Sequence, residues 1–476
     1  MKFTGFIGPA YSLDSKNVDA QRCVNMYLKI NESGKGKEGD ILSYLGTPGL
    51  TTLLTLGTSP TRGSFRGSDG FLYMVAGNKA YRISSTWVAT EIGELLTSTG
   101  NVDFADNGVT LIIVDGPNGY SHTLTSTIMS AMSDDADWKG ASHVWYIDGY
   151  FLFNKPDSAI FYITDANAIT LPTLDFSTVD GAPDDIISVL INHREVWFFG
   201  DDSIEGWYNS GNADFPFERI GGGFMEMGCA AAFSPAKSDK TTLWLGKNKE
   251  GHGVVYAARG FDAQRVSTHA IEFAMQGYSD ISDAKAYTYQ SNGHSFYVLN
   301  FPTGDATWVY DLSTGMWHER GFWDGKLHRH RGHCHAFAHG THIVGDWENG
   351  KVYKLDQDAY DDAGDEILRL RSAPHLSKEN VRIVYHGLRV DMETGVGLTG
   401  SQQGDDPKCM LRWSDDGGHT WSNIRDASVG KIGKYETRAL FRRMGQSRDR
   451  IFEWSMTDPV KCALIGVELD LEPLAS

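Results

Sequence analysis

The thirteen residues FLYMVAGNKAYRI, Phe71 to Ile83, contain the pattern that decides the fold of this chain. A run of aromatic and aliphatic residues suited to a β-strand leads into a Gly-Asn turn, and a second strand-like run follows it. Six later segments repeat this plan of strand, turn and strand. They begin at Thr110, Tyr150, Val196, Thr242, Ser295 and His342.

The spacing of these segments predicts a β-propeller. Successive segments start 39, 40, 46, 46, 53 and 47 residues apart, which is the range of a four-stranded propeller blade, roughly 40 to 50 residues. One blade cannot bury both of its faces, so several blades must pack around an axis. We therefore predict an all-β chain in which residues 51–355 form a β-propeller of about seven blades. The alternative is a set of unrelated hairpins in a sandwich.

The length and spacing of the predicted strands change after an acidic, turn-rich segment, LDQDAYDDAGDEI, at 355–367. The strands that follow are longer and alternate, as in EILRLRSAPHL and YHGLRVDMETG. We predict an acidic linker at 356–366 and a separate antiparallel β-sandwich at 367–476, about 110 residues, which is an ordinary domain size. Residues 1–50 are expected to form an N-terminal arm and the first propeller strands.

The composition fits this fold and bounds the function. Among 476 residues there are 53 glycines and 12% aromatic residues, which suit turns and pleated surfaces. The formal net charge of −18 argues against a protein that grips phosphates, although DNA could slide past an acidic wall. The 5 cysteines form no CxxC pair, which indicates reduced thiols. No signal peptide or membrane-spanning run is evident, and we predict no membrane partner.

One motif of known geometry lies in the C-terminal region. The stretch SDDGGHTW fits the Asp-box, a β-hairpin motif of sialidase propellers, with Ser414, Asp416, Gly418, Thr420 and Trp421 at its fixed positions. The aspartate can accept backbone N–H bonds within the loop, and the second glycine can take a positive φ. Because the chain has one copy and that copy lies outside the predicted propeller, we predict a structural hairpin and no catalytic residue.

Two segments are rich in potential metal ligands. In LHRHRGHCHAFAHGTH, which starts at Leu327, His333 and His335 would share one face of a strand, and with a third ligand they could hold a metal such as zinc. The acidic segment 356–366 could hold calcium weakly, but it has Asp361 where the EF-hand loop requires glycine. Solvated histidines and a solvated linker are the alternatives, and we predict neither a metal nor another cofactor.

Signatures of catalysis are not found. The chain contains no convincing Gly-rich phosphate loop and no GxSxG nucleophile elbow. Asp201, Asp202 and Glu205 lie close together in the sequence, but an acid/base pair is defined by separation in space. We predict that the protein is not an enzyme.

Several stretches together resemble one protein family. GDDSIEGWYNSG at 200–211 and FPFERI at 215–220 resemble the packaged-DNA stabilisation proteins of short-tailed bacteriophages, the podoviruses, which form the tail nozzle. Four more stretches agree with that family in order along the chain: CVNMYLKI from Cys23, LGTPGL from Leu45, HIVGDWENGKVYKLD from His342 and RMGQSRDRIFEW from Arg443. The resemblance runs through nearly the whole chain and carries over no active-site residue.

The resemblance implies a subunit of a homohexameric ring in the virion tail, made in the host cytoplasm. The ring would lie below the portal and the head-to-tail adaptor protein, prolong the DNA channel, be closed by a tail needle or plug, and help to hold tailspikes or fibres. It would stabilise packaged DNA and support its ejection without sequence-specific DNA binding.

Two rival hypotheses are a sialidase-like glycosidase and a glycan-binding propeller. A sialidase needs an arginine cluster for the sugar carboxylate and a nucleophile–acid pair, whereas the arginines here are concentrated in the C-terminal half. A glycan-binding propeller would use exposed tryptophans such as Trp207 and Trp308.

Overall fold

The computed structural model describes residues 1–3, 5–12, 19–31, 41–239, 241–379 and 381–474. Of the N-terminal arm expected at 1–50, residues 4, 13–18 and 32–40 therefore lie outside the described residues. Within the described part, the chain forms β-sheets and a single α-helix, His269–Gln276. The predicted all-β fold, a propeller with a C-terminal sandwich, is confirmed.

The propeller has seven blades of four antiparallel strands in the described part of the chain. Each hairpin predicted from the sequence supplies the second and third strands of one blade. Blade 1 consists of Thr61–Arg66, Leu72–Ala76, Lys79–Ile83 and Ala89–Glu94, and blade 2 of Asp103–Asp106, Thr110–Val114, Gly119–Thr123 and Met129–Ala131. Blade 3 consists of Val144–Ile147, Tyr150–Asn154, Ile160–Ile163 and Phe176–Thr178, and blade 4 of Ile186–Asn192, Glu195–Gly200, Ile204–Asn209 and Phe217–Met225. Blade 5 consists of Ala236–Lys237, Thr242–Lys247, Gly253–Ala258 and Ala263–Arg265, and blade 6 of Lys285–Ser291, His294–Phe301, Ala306–Asp311 and Met316–Glu319.

The seventh blade closes the propeller with a strand from the other end of the domain. Gly332–Ala338, Thr341–Asp346 and Lys351–Asp356 are its first three strands, and Gly49–Thr55 is its fourth. The closing strand runs antiparallel to Lys351–Asp356 and places Leu50 opposite Leu355. Hydrogen bonds between segments some 300 residues apart therefore hold the ring of blades shut. A short hairpin, Gly321–Trp323 with Leu327–Arg329, lies between blades 6 and 7.

The sandwich is built from both ends of the chain. One sheet has the strand order Met26–Asn31, Ile41–Gly46, Ala463–Pro473, Ile383–Met392, Ala439–Arg442, and Gln446–Ser447 also pairs with Ile383–Met392. The other sheet has the order Ala20–Val24, Arg369–Ser372, Asp449–Met456, Lys408–Ser414, Arg425–Ser428, with Tyr11–Ser12 and Leu376–Ser377 paired at its margin. This second sheet continues into blade 6, because Val24 pairs with Glu319.

Burial explains why the N-terminal strands join this domain. Phe6, Met26 and Tyr44 are at most 1% exposed and lie in one apolar core with Leu388 and Trp454 of the C-terminal half. Without the N-terminal strands, this core would be open to water on one side. The boundaries 1–50, 51–355, 356–366 and 367–476 stay predictions. The described strands add that Ala20–Val24 pairs with Arg369–Ser372 and that Ile41–Gly46 pairs with Ala463–Pro473.

Candidate functional site

The axis of the propeller is crossed by side chains. The first strands of the blades contact one another in succession from blade 5 round to blade 4, so they lie nearest the axis. Just before the first strand of blade 3, His143 places its Nε2 3.0 Å from the carbonyl oxygen of Ala232, which leads into blade 5. From blade 6, the Nζ of Lys285 donates to the carbonyl oxygen of Arg62 in blade 1, at 2.8 Å. Both contacts skip a blade, so protein atoms close the axis at this level.

This axial cluster is buried and closely packed. Lys285 is 8% exposed and His143 is 4% exposed, and the Phe233 ring stacks on His143 at 4.6 Å and lies 5.6 Å from the Lys285 ammonium. Burial lowers the pKa of Lys285, lowers that of His143 to about 4, and raises that of Asp103 to about 6. The attraction between Lys285 and Asp103 opposes the effect of burial on both groups. The cluster therefore consists of buried polar side chains that pack against one another at the axis.

A single asparagine side chain joins three parts of the chain at the junction between the domains. Asn25 donates from Nδ2 to the carbonyl oxygens of Gly321 and Leu368, both at 2.9 Å, and its Oδ1 accepts from the Gly321 N–H at 2.9 Å. Its φ of 51° lies in the left-handed region, where asparagine is tolerated better than most residues. These bonds connect the N-terminal strands, the end of blade 6 and the start of the sandwich.

Buried arginines complete the junction. Arg371 is 0% exposed and donates to five acceptors: the carbonyl oxygens of Gly5, Phe6, Pro9 and Arg22, and the Oε1 of Gln21. Arg320 is 2% exposed and bonds the Tyr289 hydroxyl and the Pro48 carbonyl oxygen. The guanidinium fork suits several acceptors at once, and these arginines fix the N-terminal segment against the propeller and the sandwich. They are consequently not open to a substrate carboxylate.

The acidic segment 356–366 packs against the closing strand of the propeller. The Gly49 and Leu50 N–H groups donate to the carbonyl oxygens of Ala359 and Asp361, and the Ala363 N–H donates back to Leu50. Asp362 is 3% exposed, and burial raises the pKa of its carboxyl to about 7, against the attraction of nearby arginines. The expectation of a solvated segment is therefore wrong for Asp362. Among the described residues, the carboxylates of this segment form no cluster of three that could hold a metal ion.

The two candidate metal ligands lie on the first strand of blade 7. His335 places Nε2 3.0 Å from Nδ1 of His342 and stacks on Tyr287 at 5.2 Å, while burial lowers the pKa of His333 well below its usual range. Cys334, between them, points the other way, toward Thr61 of blade 1. In the described part of the chain, no three His, Cys, Asp or Glu side chains converge as a metal site would require. The structure brings His335 together with His342, which the spacing did not single out.

The Asp-box lies in the sandwich, directly after strand Lys408–Ser414. Asp416 accepts from the Thr420 N–H at 2.8 Å and from the Thr420 hydroxyl at 2.6 Å, and the Ser414 hydroxyl accepts from the Gly418 N–H at 2.8 Å. These bonds hold the pKa of Asp416 well below its usual range. The Arg412 guanidinium lies over the ring of Trp421, 4.6 Å from its centroid. The bonds of Asp416 and Ser414 stay within the loop, while the Arg450 Nε donates to Asp415 at 2.6 Å and links the hairpin to strand Asp449–Met456. The structural role of the hairpin stays a prediction.

We expect Asp416→Ala to destabilise the sandwich without removing any enzymatic activity. The change strands the Thr420 N–H and leaves the loop without its main acceptor. Thermal unfolding followed by circular dichroism should show a lower midpoint for this variant, and Trp421→Ala should act in the same direction. Asn423→Ala is the matched control, since Asn423 is exposed in the next part of the same loop. Equal midpoints for Asp416→Ala and Asn423→Ala would argue against the structural role.

The residues considered for sugar chemistry are used to build the fold. Glu205 is 0% exposed and takes bonds from the Trp207 Nε1 at 3.2 Å and the Arg219 Nε at 2.9 Å. Trp207 is 6% exposed, so the expectation that it forms an exposed sugar platform is wrong. Trp308 is half-buried and donates to the Tyr278 hydroxyl at 3.0 Å. No specific observation favours the glycosidase or the glycan-binding hypothesis.

The negative charge is concentrated in one part of the propeller. Residues 101–236, which contain blades 2 to 4, have 20 acidic and 4 basic residues, a net charge of −16 out of −18. The remaining residues are close to neutral. This acidic excess can be counted in the sequence, but the sequence alone does not show that it lies on one side of the molecule. The structure shows this, because blades 2 to 4 are neighbours and form one continuous sector.

These features define a class of protein: a seven-bladed propeller that is closed by its own N-terminal strand, crossed at its axis by side chains, and joined sheet to sheet to a β-sandwich. Two family models match the chain, one described as "Bacteriophage P22 Gp10, beta-propeller" at residues 13–360 and one described as "Bacteriophage P22 Gp10, beta-sandwich" at residues 369–472. The chain belongs to the bacteriophage P22 Gp10 family, and the predicted membership of the packaged-DNA stabilisation proteins is confirmed.

Three solved structures are similar to this chain at low identity. The WD40 β-propeller domain of Doa1 is 10% identical over 65% of this chain and 98% of that domain, with a TM-score of 0.38. The N-terminal domain of Nup159 is 10% identical over 74% of this chain and 98% of that domain, with a TM-score of 0.42. The Pan2 WD40 domain of Neurospora crassa is 10% identical over 65% and 94%, with a TM-score of 0.44. Comparison with curated proteins finds no matching sequence. The described part of the chain has no helix with the length and hydropathy of a membrane span.

Proposed function

We propose that this chain is a non-catalytic subunit of a phage tail nozzle that prolongs and seals the DNA channel below the portal and adaptor. In this role it stabilises packaged DNA and supports its ejection, and it assembles as a ring, with six copies as the expected number. Its neighbours in the virion tail are the adaptor, a needle or plug, and tailspikes or fibres. The observation that carries the proposal is that the family models match both domains of the chain, at 13–360 and 369–472.

The closed axis supports a channel formed between copies. Because His143 and Lys285 contact residues of non-neighbouring blades across the axis, a duplex has no path through one propeller. A DNA channel made from such subunits has to lie between several copies arranged around a common axis. Closed rings arise when one surface of a subunit binds a different surface of the next.

The charge supports a conduit that does not hold DNA. A protein that holds DNA by phosphate contacts uses lysines and arginines and releases counterions on binding. This chain has 61 acidic and 43 basic residues, and its acidic excess lies almost wholly in blades 2 to 4. A free subunit should therefore be repelled by DNA, most strongly at low salt, where screening is weak.

Two measurements on the purified chain test the proposal. Negative-stain electron microscopy is expected to show rings, six-fold in projection, and a mobility-shift titration with duplex DNA is expected to show no sub-micromolar binding at about 50 mM salt. Bovine serum albumin at equal concentration serves as an acidic control for the titration. Tight binding at about 50 mM salt that collapses at about 200 mM would overturn the conduit, because that response marks phosphate contacts.

A further inference from the structure

We propose that neighbouring copies of this chain bind each other through two unlike surfaces: an acidic face on blade 4 and a basic edge on the sandwich. The acidic face comprises 180–185, 201–202 and 224–227, and the basic edge comprises 424–443. The proposal rests on the proposed ring and adds which surfaces form its subunit contacts. Both surfaces are exposed in the single chain, so they do not already cover each other.

The acidic face is one continuous surface. Asp184 accepts from the Asp202 N–H at 2.9 Å, and Gly228 lies against the backbone of Asp201, which brings its three segments together at one end of the blade. These segments contain six acidic residues and no basic one. Two of them pair with basic residues outside the face, Asp180 with Arg219 and Asp201 with Lys247.

Three further carboxylates of the acidic face are unpaired. Asp185, Asp202 and Glu226 are exposed and have no ion pair among the described residues. Two large apolar side chains lie among them, Phe224 at 36% and Met227 at 39% exposure, and the Phe224 ring packs beside Gly181. A surface that combines unpaired charge with exposed apolar groups is typical of a protein interface.

The basic edge is formed where the two sheets of the sandwich end side by side. Strand Arg425–Ser428 is the last strand of one sheet and Ala439–Arg442 the last of the other, and the Arg425 Nη1 donates to the Arg442 carbonyl oxygen at 2.7 Å. Residues 424–443 contain six basic and two acidic side chains. Arg438, Arg442 and Arg443 are exposed and have no ion pair in the described part of the chain.

Apolar side chains interrupt the charges of the basic edge. Ile432 is 57%, Tyr435 73% and Leu440 38% exposed. Phosphates would pair with the arginines and leave these three side chains in water, whereas a protein surface with its own apolar groups would cover them. The Phe224 and Met227 of the acidic face supply such groups, together with the opposite charge.

The signs of charge also fix how copies are arranged. Contact of the basic edge with a second basic edge, or of the acidic face with a second acidic face, would bring like charges together and is unfavourable. The favourable contact therefore joins the edge of one copy to the face of the next. Such a head-to-tail contact repeats around a ring until it closes.

Paired charge reversals test this arrangement. We expect Arg438→Glu/Arg442→Glu and Asp202→Lys/Glu226→Lys each to weaken self-association at least about a hundredfold in sedimentation velocity, since each places like charges in contact. The four positions are exposed, and circular dichroism should show an unchanged fold. Lys378→Glu/Arg382→Glu, which makes the same change in charge at exposed positions elsewhere on the sandwich, should assemble like the wild type.

Mixing the two reversed proteins gives the decisive measurement. In an equimolar mixture the two reversed positions of one variant again meet charges of opposite sign at the reversed positions of the other, so alternating rings should form and assembly should return to within about tenfold of wild type. Rings that persist in both reversed variants would overturn this inference and leave the proposed nozzle intact. A mixture that stays dissociated would overturn it as well, and so would a wild-type chain that is monomeric at about 100 μM, which would also count against the ring. Sub-micromolar DNA binding by the wild type that only the arginine variant loses would overturn the inference and assign the basic edge to nucleic acid.

Discussion

Replacing Arg371 with alanine is expected to lower the free energy of unfolding by at least about 3 kcal/mol and to release the N-terminal strands from the sandwich. The side chain is 0% exposed and donates to five acceptors, four of which are backbone carbonyl oxygens of the N-terminal segment. Truncation leaves these acceptors buried without partners and also opens a cavity. Denaturation by urea, followed by far-UV circular dichroism, measures the loss.

Two further variants separate this effect from a general loss of charge. Arg382→Ala removes an exposed guanidinium from the same domain and should change stability by less than about 0.5 kcal/mol. Arg371→Lys keeps the charge but lacks the fork of donors, so it should recover only part of the loss. Limited proteolysis should cut Arg371→Ala within residues 1–46 before the propeller is cut. Unchanged protease resistance together with an unchanged midpoint would show that the N-terminal strands are held by their sheet pairing alone.

Replacing Trp244 with alanine is expected to cost about 3–5 kcal/mol, because it empties a large volume between blades 4 and 5. Trp244 is 0% exposed and its ring lies 5.8 Å from those of Phe199 and Tyr256. The neighbouring strands are held in sheets and can collapse into the space only in part. Thermal or urea unfolding of the propeller reports the change.

Trp244→Phe gives the comparison that isolates the cavity. The indole Nε1 is buried and has no hydrogen-bond partner in the described part of the chain, so phenylalanine loses volume but strands no acceptor. We expect this variant to cost about 1–2 kcal/mol, clearly less than alanine. If the two variants lost the same free energy of unfolding, the Trp244 Nε1–H would have to make a stabilising hydrogen bond that both variants lack.

Local chemistry is the part of the site that could be anticipated. The Asp-box spacing fixes which side chains bond which loop N–H groups, and Asp416 and Thr420 meet in the structure as that pattern requires. The face shared by His333 and His335 follows from strand alternation, but the partner of His335 is His342, on the next strand, and register decides that contact. Trp207 shows the opposite case, because it was expected to be an exposed sugar platform and its burial depends on blade packing.

The regular spacing of hairpins along the chain was enough to predict the repeated unit and therefore the class of fold. A hairpin of two apolar strands at intervals of 39 to 53 residues cannot bury its faces alone, and packing of like units around an axis follows from that physical need. The change to longer alternating strands after the acidic segment likewise marks a second kind of sheet. Both inferences use neighbours along the chain, where periodicity and turn chemistry act.

The way in which distant segments of the chain pair with one another could be seen in the folded structure alone. The strand Gly49–Thr55 closes blade 7, and Lys285 reaches across the axis to Arg62. The strands Ala20–Val24, Met26–Asn31 and Ile41–Gly46 join the two sheets of the sandwich. Each of these contacts links segments hundreds of residues apart, so no local periodicity encodes it. The arginines of the sequence RLRS, which alternate as if to face solvent, are buried because distant backbone carbonyl oxygens need donors there. The burial of these arginines cannot be predicted from their neighbours in the sequence, since their backbone acceptors come together only when both ends of the chain meet.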